Sequence, residues 1–200
     1  DIELEQNCSK NILELQRLSS HLLCVLDDMK TSSSSATLAV YKNNETISVH
    51  DTVERAIEGV KPLAEKYNFT IDFSAKKAVT EHHIGSTKAI FQIIQNLIKN
   101  AILHSGGSTV TVMKSAESLS HDKTHYRINV IDDGKGIDVK FRDKMFNAFE
   151  RGDTLSEGTG LGLNICKQIA NTLEDGDLSY ISSENGGANF ELVFVLHSVD

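Results

Sequence analysis

The sequence predicts a two-layer α/β sandwich preceded by one long helix. Three observations lead to this fold class. Residues 1–30 contain neither Gly nor Pro and repeat side chains at steps of four and three, which is the spacing of a packed helix. The rest of the chain sets helix-type segments between strands that look antiparallel. Two glycine clusters, at residues 132–136 and 157–163, lie between the later segments.

Composition limits the classes of protein that the chain can belong to. The 200 residues, 40% of them hydrophobic, suffice for one domain with a core and an extra element. No apolar run reaches the length of about 18 residues that a membrane span needs. The net charge of −8 argues against nucleic acid as a partner. Three widely spaced cysteines predict neither disulfides nor zinc and favour a reducing cytoplasm. The start at Asp1 suggests part of a longer protein.

The stripe along residues 1–30 predicts a helix in a bundle or coiled coil, with one polar Asn in the seam. An amphipathic helix packed on its own domain is the alternative. The stripe consists of Leu4, Cys8, Asn11, Leu15, Leu18, Leu22, Val25 and Met29. A serine-rich run follows, so we predict a linker over residues 31–37 and a globular domain over residues 38–200.

The first half of the globular domain begins with a short strand at residues 46–50. Asp51 is the expected N-cap of a helix over residues 52–66, which Pro62 should kink or divide. Strict alternation predicts a strand at residues 70–75.

Ser86 is the expected N-cap of the next helix, residues 87–104, on which Asn96 and Asn100 lie one turn apart beside the apolar stripe. His121 and His125 are expected in a polar loop. His82 and His83 have no third ligand at a suitable spacing for a metal. The later elements are predicted at residues 109–114, 126–131, 161–173, 178–182 and 190–196, all strands except the helix at 161–173.

The two glycine clusters indicate a site for a nucleotide. Asp132 ends an apolar strand, where its carboxylate can accept a hydrogen bond from a base. The glycines at residues 158–162 open a helix, and exposed backbone N–H groups at such a helix start bind phosphate. Either cluster alone could be an ordinary turn, because Gly and Asp are common turn residues.

Four clusters in order carry a resemblance to a known family. They are Asn96–Ala101, Asp132–Gly136, Phe146–Arg151 and Gly158–Leu163. This set resembles the N box, first glycine box, F box and second glycine box of the sensor histidine kinases. Those proteins belong to a superfamily with DNA gyrase and a heat-shock chaperone ATPase. The resemblance covers roughly residues 38–197 and implies a Bergerat-type fold that binds ATP and Mg²⁺.

The resemblance assigns roles to individual residues. Asn100 would be the Mg²⁺ ligand, Asn96 would support the phosphates and metal, and Arg151 would stabilise charge at the γ-phosphate during transfer. Asn96 and Arg151 are therefore the candidate catalytic residues. The alternative for the two Asn residues is a polar helix face. The candidate nucleotide-binding residues are Asn96, Asn100, His104, Asp132, Gly134, Gly136, Phe149, Arg151, Gly158, Thr159, Gly160, Leu161, Gly162 and Leu163.

The chain departs from the family pattern in three places. Leu103 and His104 stand where the family often has Lys and an aromatic residue, so one positive charge near the triphosphate is missing. Only residues 152–157 separate Arg151 from the second glycine box, which makes a short lid. Asn164 stands where the family usually has Ala.

Asn96 also separates the branches of the superfamily. ATPases and anti-sigma serine kinases carry a basic Glu four residues before the metal-binding Asn, and an amide cannot replace it. A histidine acceptor needs less help, because neutral imidazole is already a nucleophile near pH 7. The sequence therefore favours a sensor histidine kinase, with a non-catalytic nucleotide-binding and dimerisation module as the alternative.

The partners implied by the resemblance extend beyond this chain. The helix at residues 1–30 resembles the second helix of the family's dimerisation hairpin, which implies a homodimer. A response regulator or receiver domain would be the next partner. The phosphoacceptor is missing here, since His21 is followed by Leu22 rather than an acid. We expect no contact with nucleic acid or with a membrane by this part of the protein.

Overall fold

The structure is a computed structural model that describes residues 38–42, 44–75, 82–150, 160–182 and 186–199. The predicted helix at residues 1–30 and the linker at 31–37 lie outside the described residues. So do three predicted site residues, Arg151, Gly158 and Thr159.

Five helices and seven strands make up the described part of the chain. The helices are α1 (Val49–Glu58), α2 (Lys61–Lys66), α3 (Thr87–His104), α4 (Val139–Arg142) and α5 (Gly162–Ala170), with a 3₁₀ turn at Val40–Lys42. The strands are β1 (Glu45–Ile47), β2 (Thr70–Ala75), β3 (His83–Gly85), β4 (Thr109–Ser118), β5 (Lys123–Asp132), β6 (Glu174–Ser182) and β7 (Ala188–Ser198). None of these helices is long and apolar enough to cross a lipid bilayer.

The strands form one mixed sheet in the order β1-β3-β7-β5-β4-β2, and β6 also pairs with β7. Among the described strands, only β2 and β4 run parallel, and the other neighbours are antiparallel. Strand β7 has three partners. It pairs with β5 along its length, with β6 over Ala188–Val195, and with β3 near its end, where His197 faces Ile84.

Helices and sheet form two layers with the core between them. Helix α3 contacts α1 and α5 as well as β4 and β5. Burial alternates along β5, so one face of that strand points into the core while the other stays partly exposed. The buried side chains from both layers include Val53, Ile90, Ile94, Leu97, Tyr126, Ile128, Ile165 and Leu192. The predicted α/β sandwich is confirmed.

Local signals set several element boundaries. Ser86 caps α3 as predicted, and its hydroxyl accepts a hydrogen bond from Ala89 N at 3.3 Å. Pro62 lies in the first turn of α2, where its missing N–H costs nothing, so the predicted long helix is divided. The expected cap at Asp51 is wrong. Ser48 caps α1 and accepts from Asp51 N at 3.2 Å, because the chain leaves β1 already at Ile47.

Strand β3 is an element that the sequence did not predict. Its His83 is fully buried, with Nε2 3.2 Å from Thr124 Oγ1 and Nδ1 3.3 Å from the Tyr126 hydroxyl. Burial lowers the pKa of the His83 imidazole, and the charges of His82 and Lys114 lower it further.

His125 lies in β5, half-buried, and not in the expected polar loop.

Candidate functional site

A cavity of about 830 Å³ opens between the C-terminal end of α3, the loop after β5 and the N-terminal end of α5. These three elements bring together residues that are far apart in the sequence. The predicted site residues that line the cavity are Asn100, His104, Asp132, Gly136, Gly160, Gly162 and Leu163. Because α3 and α5 pack directly on one another, their ends hold the two sides of the cavity at a fixed separation.

Asp132 is the buried carboxylate of the cavity, with 7% of its surface exposed. Its Oδ1 accepts from Gly134 N at 3.0 Å and from Ala188 N at 3.2 Å. Burial raises the pKa of the Asp132 carboxyl, the two N–H groups oppose this, and the charge of Asp133 adds to the increase. Neither hydrogen bond uses Oδ2, so this oxygen can accept from a ligand.

The loop after Asp132 is fixed against the end of α3. A Cβ at Gly134 would lie 2.3 Å from the carbonyl oxygen of Ser105, so this position requires glycine. Lys135 N donates to the same carbonyl at 3.0 Å. Asp133 points away from the cavity and accepts from Ser108 N at 2.7 Å and Thr109 N at 2.8 Å. These backbone donors lower the pKa of the Asp133 carboxyl to about 2.

Asn96 and Asn100 lie one turn apart on α3, as predicted. Asn100 is half-buried and lines the cavity. Asn96 donates its amide to Cys166 Sγ on α5 at 3.4 Å. Its nitrogen would lie 3.9 Å from a Cβ at Gly162, so Asn96 lies within van der Waals distance of the first turn of α5. The pair of amides thus stands beside the start of α5.

The start of α5 fits the binding of phosphate. Among the described residues, no side-chain hydrogen bond caps α5 at its N-cap, Leu161, so no capping side chain there occupies the N–H groups of the first turn. Gly160 has φ +70°, and a Cβ there would lie 2.7 Å from the carbonyl oxygen of Glu150. Its own carbonyl accepts from Phe149 N at 3.0 Å. That bond joins the two chain segments that flank residues 151–159.

The two F-box phenylalanines have different environments. The Phe146 ring makes an edge contact with Phe190, with centroids 6.4 Å apart, and Lys167 Nζ lies 5.4 Å from its centre. Phe149 has φ +65°, is 75% exposed and does not line the cavity. Its assignment to nucleotide binding stays a prediction.

The charges around the cavity are mostly acidic. Asp132, Asp138 and Glu150 line it, and Lys135 is the only Lys or Arg that does so among the described residues. Leu103, where the family often has Lys, is 44% exposed and also lines the cavity. This departure from the family pattern therefore lies within the candidate site.

Sequence reasoning missed several lining residues. Tyr67 comes from the turn between α2 and β2, and no pattern in its segment indicates a site. Ile137, directly after the first glycine box, and Met145, next to the F box, could have been inferred from their neighbours. The other lining residues not predicted as site residues are Ala101, Leu103, Ser105, Lys135, Asp138, Phe141, Glu150, Ala188 and Phe190. Gly134, Asn96 and Leu161 lie next to the cavity rather than in its lining.

Residues 85–198 match the family described as histidine kinase-, DNA gyrase B- and HSP90-like ATPase. The chain belongs to this family. Its matched residues contain α3, the loop after β5 and α5, which are the three elements around the cavity. The chain accordingly carries an ATP-binding domain of this family.

Curated relatives are longer proteins. The signal transduction histidine-protein kinase BarA of Escherichia coli K12 is 24% identical over 192 residues, covering 94% of this chain and 21% of that protein. The sensor histidine kinase YvrG of Bacillus subtilis 168 is 33% identical over 138 residues, covering 66% of this chain and 22% of that protein. The chain thus spans about a fifth of the length of the curated relatives it matches.

Solved structures share the fold. ShkA, solved full-length in complex with AMPPNP, superposes with a TM-score of 0.72 at 18% identity, covering 96% of this chain and 39% of that one. At this identity the likeness establishes the architecture alone.

Proposed function

We propose that this chain is the ATP-binding catalytic domain of a sensor histidine kinase, joined to part of its dimerisation helix. It would transfer the γ-phosphate of ATP to a histidine side chain on the dimerisation domain. The family match over residues 85–198 and the named relatives support this assignment. The phosphoacceptor histidine would lie in the longer protein.

The observation that carries the proposal is the amide at Asn96. In the ATPases of the superfamily, a Glu at this place removes a proton from the attacking group. Here the side chain is an amide that donates to Cys166, so it has no basicity to offer. The acidic residues that line the cavity come from other elements and not from α3. A neutral imidazole acceptor needs no such base.

Each residue has a proposed task. The free Oδ2 of Asp132 would accept from the adenine amine, and the N–H groups at the start of α5, with Gly158 and Thr159, would hold the phosphates. The Asn100 oxygen suits Mg²⁺, a hard cation that prefers oxygen ligands and would neutralise phosphate charge. Asn96 would orient the phosphates, and Arg151 would stabilise charge as the phosphoryl group moves.

The wider context of the domain is also part of the proposal. Residues 1–30 would contribute the second helix of a dimerisation hairpin, so the complete protein would be a homodimer. A response regulator or receiver domain would accept the phosphoryl group from the histidine. We place the domain in the cytoplasm, where ATP and Mg²⁺ are available.

The decisive experiment is phosphotransfer in a longer form of the protein that carries both hairpin helices. With γ-labelled ATP and Mg²⁺, we expect label that is stable in alkali and lost in acid, as for phosphohistidine. Arg151→Ala should slow transfer while nucleotide affinity stays nearly unchanged. Label on water alone, as free phosphate, would instead indicate an ATPase and would contradict the proposal.

The exposed Leu103 in the cavity favours one second candidate, a non-catalytic nucleotide-binding and dimerisation module. Without a cation at that place, triphosphate binding is weakened and a kinase could lose its activity. This candidate predicts Mg²⁺-dependent binding of fluorescent ATP with no transfer of label to any histidine.

A further inference from the structure

Asn164 is the departure from the family pattern that the proposed function leaves unused. It is the third residue of α5, the helix whose first two residues line the cavity and whose start is the proposed phosphate site. Its Nδ2 donates to the carbonyl oxygen of Phe146 at 2.8 Å, across a sequence separation of 18 residues. An alanine here could not make this bond.

A second amide fixes the direction of the first. Gln168, one turn further along α5, donates Nε2 to Asn164 Oδ1 at 2.7 Å. The Phe146 carbonyl can only accept, so the Asn164 side chain must present its nitrogen to it and its oxygen to Gln168. The two amides therefore form a relay, a chain of two hydrogen bonds that runs from Gln168 through Asn164 to the carbonyl of Phe146 in the F box.

The relay completes a set of contacts that hold Phe146 to α5 and its surroundings. Lys167 Nζ lies over the Phe146 ring, and Phe190 packs against the ring edge. Three residues further on, Phe149 N donates to the carbonyl of Gly160, two residues before α5 begins. The Phe146–Phe149 segment is thus fastened near the start of α5 at both of its ends.

We propose that Asn164 is a positioning residue, which holds the Phe146–Phe149 segment in register with the phosphate-binding start of α5. The inference rests on the proposed nucleotide site and deepens it. Glu150 follows this segment directly and lines the cavity. Asn164 therefore fixes where that carboxylate stands relative to the N–H groups that receive the phosphates.

Loss of the Asn164 hydrogen bond should affect the binding of the phosphates of a nucleotide and not the binding of its base. The base site at Asp132 is built from β5, β7 and the end of α3, and none of its hydrogen bonds involves Asn164. If the Asn164 bond is lost, the Glu150 carboxylate can move toward the triphosphate, and like charges repel. Affinity for a triphosphate should fall, while affinity for a monophosphate, which barely reaches this region, should not.

The test uses Asn164→Ala in the full chain, with binding of Mg²⁺-AMPPNP and of AMP measured by calorimetry or NMR titration. We expect AMPPNP affinity to fall about three- to tenfold, the scale of one lost hydrogen bond, with AMP affinity unchanged. Gln168→Ala keeps the Asn164 donor to Phe146 but removes the hydrogen bond that orients the Asn164 amide. AMPPNP affinity should therefore fall less in this variant than in Asn164→Ala. Asn164→Gln, which retains an amide donor, should recover part of the affinity. Asn171→Ala, at the exposed C-terminal end of the same helix, is the matched control.

A nucleotide-free readout separates this inference from the proposed function. NMR-detected hydrogen exchange of the Phe149 amide should accelerate in Asn164→Ala and stay unchanged in Asn171→Ala. An equal loss of affinity for AMP and AMPPNP, or unchanged affinity and exchange, would overturn the positioning role. If the wild-type chain binds no nucleotide, the proposed function fails, and the exchange rate alone decides on Asn164.

Discussion

The N–H of Ala188, the first residue of β7, donates to Oδ1 of Asp132, the last residue of β5, at 3.2 Å. The neighbouring Gly187 packs so closely that a Cβ there would lie 1.8 Å from the Asp132 carbonyl oxygen. One oxygen of the carboxylate thus ties two strands together, while the other can accept from a ligand. The structural and the binding roles of Asp132 can therefore be separated by mutation.

Asp132→Asn should weaken ATP binding by about 1–3 kcal/mol, because the new NH₂ group opposes the adenine amine inside a buried site. The retained Oδ1 can still accept from Gly134 and Ala188, so thermal stability should change less than affinity. Fluorescent-ATP titration and thermal melting measure both. Asp133→Asn is the matched control, which should affect stability but not affinity, since Asp133 bonds Ser108 and Thr109 outside the cavity. Wild-type affinity in Asp132→Asn would refute the adenine assignment.

Asn100→Asp should change metal dependence more than stability. The substitution adds a charge to a half-buried, cavity-lining side chain, so ATP binding in EDTA should weaken through repulsion while binding with Mg²⁺ is retained. The ratio of the ATP affinity in Mg²⁺ to the ATP affinity in EDTA should therefore rise. The free energy of unfolding should move by less than about 0.5 kcal/mol. A collapse of stability without nucleotide would make Asn100 a structural residue.

Leu103→Lys should strengthen ATP binding about two- to fivefold at low salt, since it adds a second cation, beside Lys135, to a cavity lining that is mostly acidic. The gain should shrink as ionic strength rises. Leu119→Lys adds the same charge at another exposed leucine, in the turn between β4 and β5, and should leave affinity unchanged. Equal gains in both variants would point to net charge rather than to the site.

His83 should make stability depend on pH below neutrality. Its pKa is lowered in the folded state, so as pH falls below about 6.5 the unfolded chain takes up a proton that the folded chain does not. The free energy of unfolding should decrease over this range, down to the folded-state pKa. Denaturant midpoints between pH 7.5 and 5 measure this decrease. His83→Gln should flatten the profile, whereas His121→Gln, in the exposed turn, should keep it. A wild-type profile without slope below pH 6.5 would contradict the prediction.

Residues 1–30 should support weak self-association, and a chain that starts at Ala36 should be a folded monomer. The shortened chain keeps Leu38 and Tyr41, which pack into the core. Half of a hairpin, with Asn11 in its seam, is a poor bundle, so the affinity of the intact chain for itself should be low. Sedimentation of both forms measures this. An unfolded short chain would mean that the domain boundary at the serine run is wrong.

The sequence was sufficient where a signal is local. The bounds of α3 follow from the cap at Ser86 and the 3.6-residue periodicity up to His104. The position of Asp132 follows from the apolar strand that ends there. A break at Pro62, whether a kink or a division, follows from ring geometry alone. These properties depend on a few neighbouring residues, which the sequence displays directly.

Other features depend on distant partners. Strand β3 has only three residues, and its pairing with β1 and β7 rather than its composition makes it a strand. Tyr67 reaches the cavity because β2 pairs beside β4, which brings the turn before β2 next to the end of α3. The role of Asn164 depends on where the Phe146 carbonyl lies. No periodicity encodes such contacts.

The three partners of β7 bear on how the domain is made in the cell. A ribosome delivers β3, β5 and β6 before β7, and β6 has no other strand partner among the described residues. The hairpin of β4 and β5 can form early, but the sheet cannot close until residues 188–198 have left the exit tunnel. Until then the nascent chain exposes unpaired strand edges, which chaperones can bind and which can pair with other chains and aggregate. Synthesis that stalls before Ala188 would leave a product without the strand on which half of the sheet depends.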